Sequence, residues 1–125
     1  MTEVPSRQEM FERAVRGLAG QGWKRAVIDD VRSLGCMYLT DDGRRCAWGH
    51  VDPNGTVGPT GRVYGGSIRT LTHVGHGLAP RLSEEDLDFA LLLQGTHDHA
   101  TNETLRSCFV RFGKYHNLTW PADVE

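Results

Sequence analysis

Cys36, Cys46 and His50 fall within one stretch of fifteen residues, and His97-Asp98-His99 follows far downstream. Two thiols and two imidazoles, from Cys36, Cys46, His50 and His97, are the ligand types of a closed tetrahedral zinc site. The spacing, nine residues between the cysteines and three to His50, contains no Cys-x-x-Cys and is not a zinc-ribbon pattern. The competing reading makes Cys36 and Cys46 small buried apolar residues, as free cysteine commonly is. His97 and Asp98, joined by His73 and His76, suit a second chemistry, metal-assisted hydrolysis of a phosphate-containing substrate. Against it stands a helix C-terminus that favours imidazolium through the macrodipole, with His97 tucked against the core. A third option is thiolate attack by Cys46 or Cys36, with His50 or His97 as base. Arg44 and Arg45 lie beside Cys46 on its own strand, but adjacent strand residues point the other way. Finally, a glycine-rich stretch carries Arg62, Tyr64 and Arg69, with Trp48 nearby. Arginine offers bidentate phosphate contacts and aromatic faces stack on bases. No P-loop or dinucleotide fingerprint accompanies them.

These groups need elements to hold them. Ser6 followed by Glu9 is a capping pattern, and Phe11, Ala14, Val15 and Leu18 recur at helical spacing, so a helix is expected near 6–20. Residues 23–34 read as strand or helical turn. Asp41-Asp42-Gly43 between Cys-Met-Tyr-Leu and Cys-Ala-Trp is a hairpin signal, with strands at Cys36–Thr40 and Arg44–Val51. Loop length sets the register. A two-residue loop pairs Leu39 with Cys46 and splits the cysteines between faces. A three-residue loop pairs Tyr38 with Cys46, and then Cys36, Tyr38, Cys46, Trp48 and His50 share one face. Residues 52–80 form a glycine-rich irregular segment, with a short helix or strand at Ser67–Leu71. Ser83-Glu-Glu-Asp86 starts a helix near 83–99 that places Phe89, Ala90, Leu93 and His97 on one stripe. A last helix near 102–116 presents Leu105, Cys108, Phe109 and Phe112.

Composition bounds the class. The chain of 125 residues reads as one domain, 1–125, large enough to bury a core. Its net charge of −2 is near balance, and it lacks the basic stripe of a dedicated nucleic-acid binder. No apolar run reaches the roughly eighteen residues of a membrane span. The polar start is not a secretory signal, and three cysteines without framework spacing suggest free thiols in a cytoplasm.

The order of these pieces (a capped helix, a Cys-x-Tyr strand, Asp-Gly, Cys46-Ala-Trp-Gly49, then Leu-Leu-x-Gln94-x-x-His97-Asp98) resembles a group of small uncharacterised phage and prophage proteins. The resemblance covers most of the chain in order but rests on short motifs. Relatives often carry a cysteine or a small residue where this chain has His50, and residues 51–80 are peculiar to this chain. The resemblance implies a cytoplasmic phage accessory protein and no assigned activity.

The expectation is therefore an α+β domain, with a small antiparallel sheet at 36–51 covered by about three helices. Its buried set is Phe11, Val15, Leu18, Tyr38, Cys46, Trp48, Phe89, Leu93, Cys108, Phe109 and Phe112. The expected function is a non-enzymatic accessory or counter-defence module that sequesters a small nucleotide-like ligand or inhibits a host protein. Its contact surface is Asn54–Gly77, with Trp48, Arg62, Tyr64 and Arg69. The alternatives are the metal-assisted hydrolase and a zinc-stabilised interaction domain. Zinc is the one cofactor the ligand types suit; no membrane partner or direct nucleic-acid contact is expected, and a homodimer is compatible with the pattern.

Overall fold

The computed structural model describes residues 4–25, 43–56, 68–73 and 77–125. Five helices account for their regular structure: α1 Arg7–Gly20, α2 Ala47–Val51, α3 Ile68–Leu71, α4 Glu84–Asp98 and α5 Leu105–Tyr115, with a 3-10 turn at Ala79–Arg81 before α4. The two cap signals act as the sequence implies. Ser6 Oγ accepts from Glu9 N at 3.1 Å, and Ser83 Oγ accepts from Asp86 N at 3.1 Å. Both α1 and α5 end in Schellman turns. Gly22 (φ 72°) and Trp23 fold back so that Trp23 N donates to Leu18 O at 2.8 Å. Asn117 (φ 57°) does the same for α5, and Leu118 N donates to Gly113 O at 2.8 Å.

The α+β expectation is overturned: no strand or sheet occurs among the described residues. Cys36–Thr40, with Tyr38, lies outside them, but the expected partner strand Arg44–Val51 is mostly helix α2. The physical reason lies in the run Ala47-Trp48-Gly49-His50-Val51. Every residue but His50 is apolar or glycine, so the alternation needed for a half-buried strand is absent. As one helical turn the run buries Ala47, Trp48, Gly49 and Val51 together. A five-residue helix is too short to persist alone. Its ends are instead held by other elements. Cys46 is its N-cap, with Sγ accepting from Gly49 N at 3.4 Å. Gln94 of α4 accepts from Trp48 N at 2.8 Å, and Arg13 of α1 donates to Val51 O at 3.1 Å.

Helix α2 lies mainly on α1 and also meets α4, which packs on α5. The core runs continuously through Phe11, Leu18, Trp48, Ile68, Leu93 and Phe109. Of the expected buried set, Phe11, Val15, Leu18, Cys46, Trp48, Phe89, Leu93, Phe109 and Phe112 are buried, and Cys108 is only partly so. Residues 117–125 then fold back over α1 and α5. Arg16 grips Asp123 through bonds of 3.0–3.1 Å, and Gln8 exchanges two hydrogen bonds of 2.8 Å with the Thr119 backbone. The Arg16 hydrogen bond also holds the Asp123 carboxyl below its ordinary range. No described helix is long and apolar enough to cross a membrane.

Candidate functional site

Of the residues singled out for chemistry, Cys36, Arg62, Tyr64 and His76 lie outside the described residues. The rest can be placed. Cys46 and His50 stand one turn apart on α2, and His97 ends α4 with no solvent exposure to its side chain. Among the described residues no group of three or more His, Cys, Asp and Glu side chains gathers as metal ligands would. His73 is exposed just beyond α3 and forms no such group with His97 and Asp98. Arg69 is spent on a surface ion pair with Asp88 at 3.4 Å. Trp48 is fully buried, so its ring is core, not a stacking platform; its indole Nε1 is left without a hydrogen-bond partner.

What the helices assemble instead is a polar network around two glutamines to which sequence reasoning assigns no role, Gln94 entering it only as part of the resemblance motif. Gln21, at the end of α1, donates from Nε2 to Lys24 O at 2.8 Å and Arg45 O at 2.7 Å. Its Oε1 accepts from Arg45 N at 3.0 Å and meets His50 Nε2 at 2.8 Å. Two carbonyls on one end and an amide N–H on the other fix the orientation of the Gln21 side chain. His50 must therefore carry its proton on Nε2. Gln94 works similarly across α4, accepting from Trp48 N and donating to Asp98 Oδ1 at 2.8 Å. Asp98 Oδ1 also accepts from His97 Nδ1 at 3.1 Å. Arg25 closes the end of α4, donating to His97 O at 3.1 Å and Asp98 O at 2.7 Å. An imidazole oriented by a carboxylate is how a general base is set up, but with His97 fully buried this pair organises a helix end.

His50 sits against α1 at Gly17, where a Cβ would overlap the imidazole. Burial first, then Arg45 and His97, lowers its pKa from 6.5 to about 4. The sign follows: the neutral ring is the form the fold accepts, so the unfolded chain binds the extra proton. This contribution is complete above pH 6.5 and drains away as pH falls toward 4. With the ring's partial exposure discounted, it amounts to roughly 2 kcal/mol. Urea denaturation between pH 7 and 4.5 should show wild type losing about that much more stability than His50→Gln. Equal slopes in the two proteins would rule out His50 as the source.

A second construction lies at the base of the glycine-rich segment. The side chain of Asp52, buried just after α2, accepts from Gly55 N at 3.2 Å and from Leu78 N at 2.7 Å. One carboxylate thus joins the place where the segment leaves, Gly55, to the place where it returns, Gly77-Leu78. Gly77 has φ 73°, and its Cα lies so close to Gly55 that a Cβ would strike the Gly55 backbone. Beside this clasp opens a cleft of about 340 Å³. Arg13 of α1 and Arg81 of the 3-10 turn stand on its walls, with Asn54 and Pro53 between them. Asp52-Pro53-Asn54-Gly55 is readable as a turn; its pairing with Gly77 is not, because nothing local couples residues so far apart.

In comparisons with known proteins, no family model, no curated protein and no solved structure matches the chain.

Proposed function

We propose that the protein is a non-catalytic binding module, of the phage-accessory kind that the sequence resemblance implies, and that it sequesters a small phosphate-bearing ligand in the cleft between Arg13 and Arg81. The observation that carries this reading is the cleft itself: two arginines from separate elements, Arg81 and an Arg13 that also bonds Val51 O and the Glu9 carboxylate, line about 340 Å³ at the base of the segment expected to make contacts. That volume is within the range of small-molecule sites, and guanidinium is the side chain best matched to phosphate oxygens. The Asp52 carboxylate also lines the cleft, with a backbone amide on each of its oxygens, and the two arginines outnumber its charge. Cys46, His50 and His97 support binding over catalysis, since Cys46 caps a helix, His50 serves Gln21 and His97 is buried.

Thermal denaturation with AMP, cyclic AMP, a cyclic dinucleotide and inorganic phosphate tests the reading. A ligand at a hundred times its Kd should add about 2.7 kcal/mol, which raises Tm by several degrees. Arg81→Gln should weaken that ligand about tenfold or more, as loss of a charge-assisted phosphate contact does. The Tm of the unliganded variant is the baseline against which its ligand shift is read. No shift with any of the four, or turnover of one of them, would remove the proposal.

A further inference from the structure

A second cavity lies on the opposite side of α1, beneath the returning C-terminal segment, and has a different character. Its volume is about 230 Å³. Phe11, fully buried, reaches it from α1, and Val110 and Gly113 line it from α5. Gly113 matters for shape: a Cβ there would stand 2.8 Å from Phe11 Cζ, so the helix backbone itself packs on the ring. The Schellman turn that ends α5 carries Leu118 and Trp120 over the remaining side. Trp120 is fixed from several directions. Its Nε1 donates to Val124 O at 2.9 Å, its ring stacks on Trp23 at 6.0 Å, and it meets Phe11 edge-on at 6.1 Å. The pocket is thus formed before any ligand arrives, which removes much of the ordering cost of binding.

The rim is cationic. Arg106, Val110 and Lys114 lie on one stripe of α5, each one turn from the next, so an apolar side chain sits between two positive charges. Arg106 gives its Nε to Glu125 O at 2.9 Å and lies over the Trp120 ring at 5.4 Å. No acceptor among the described residues meets its terminal nitrogens or Lys114 Nζ. Apolar walls under two cations complement one kind of molecule. We infer that this pocket binds a small organic anion with an apolar body, of the aromatic carboxylate class, its ring against the partly exposed Val110, Leu118 and Trp120 and its carboxylate between Arg106 and Lys114. The volume is below the roughly 300 Å³ at which drug-sized sites begin, which limits the occupant to about one ring and a short acidic arm. This site is independent of the Arg13–Arg81 cleft and needs no phosphate.

Titration of the full chain with phenylacetate, phenylacetamide and acetate, followed by the Trp120 indole N–H and the Val110 and Leu118 methyl resonances, separates the contributions. Phenylacetate should give saturable shifts at all three positions. Phenylacetamide, lacking the charge, and acetate, lacking the ring, should each bind at least about tenfold more weakly. Lys114→Gln should weaken phenylacetate several-fold at unchanged Tm, and Val110→Phe, which fills a half-exposed position, should abolish the shifts. Equal binding of acid and amide, no saturation with phenylacetate, or unaltered binding in Val110→Phe would each overturn the assignment. The phosphate ligands of the other cleft should leave these resonances unmoved.

Discussion

Gly17→Ala should destabilise the protein by about 2 kcal/mol, although it replaces a glycine inside a helix with the best helix former. Propensity alone predicts the reverse, a gain of up to about 1 kcal/mol. The difference is His50. A Cβ on residue 17 would overlap Cγ and Nδ1 of the imidazole and stand 2.7 Å from its Cβ. These are not atoms at the free end of a flexible chain. The ring is tied to Gln21 at 2.8 Å, and its backbone belongs to a helix held at both ends by Gln94 and Arg13. Either α2 lifts from α1 or the ring abandons Gln21. His50→Gly in the same background removes the obstacle, Cβ included. The double variant should then be at least as stable as His50→Gly alone, so the two substitutions are strongly non-additive. Urea denaturation of the four proteins measures the coupling. A stabilised Gly17→Ala would mean that α1 and α2 do not meet this closely.

That example also marks what a linear reading of the chain could reach. The long helices were legible because their information is local: a serine with an acidic residue three places on, then an apolar stripe. His97 on the buried stripe of α4 followed from the same periodicity. Residues 44–51 failed because their structure is decided elsewhere. Cys46-Ala-Trp-Gly-His-Val carries no period that separates strand from helix, and its helical form depends on Gln94, Arg13 and the missing side chain of Gly17. Neither hairpin register therefore has a counterpart at Cys46, Trp48 and His50, which cap or form α2. The roles of Gln21 and Gln94 are hidden for a related reason. A glutamine signals nothing by itself, yet each here satisfies backbone groups of an element distant in sequence. One signal was available for the clasp: Asp52 opens a turn sequence, and a buried aspartate needs donors that a four-residue turn supplies only in part.

The clasp is where the second large effect is expected. Asp52→Ala should cost about 3–5 kcal/mol, a substantial share of the stability of a domain this size. The wild-type carboxylate takes one bond from Gly55 N and a short one, 2.7 Å, from Leu78 N. Truncation leaves both amides without that acceptor in a place where Leu78 and Gly55 are buried. Hydrogen bonds to an ionised group contribute about 1.5–3 kcal/mol each, and stranded donors add their desolvation. Asp52→Asn should fall between, since its single amide oxygen can serve one donor while its NH₂ faces the other. Gly77→Ala attacks the same junction from the far side. Its positive φ disfavours any side chain, and a Cβ there would strike both the Gly55 backbone and Asp52 Oδ2, the oxygen that holds Leu78 N. The distinguishing readout is local. Amide exchange at Gly55 and Leu78 should accelerate in Asp52→Ala more than at core α4 positions such as Leu93, because the clasp opens before the bundle does. Uniform acceleration would show that Asp52 supports the whole fold equally, and a loss below about 1 kcal/mol would show that neither amide depends on it.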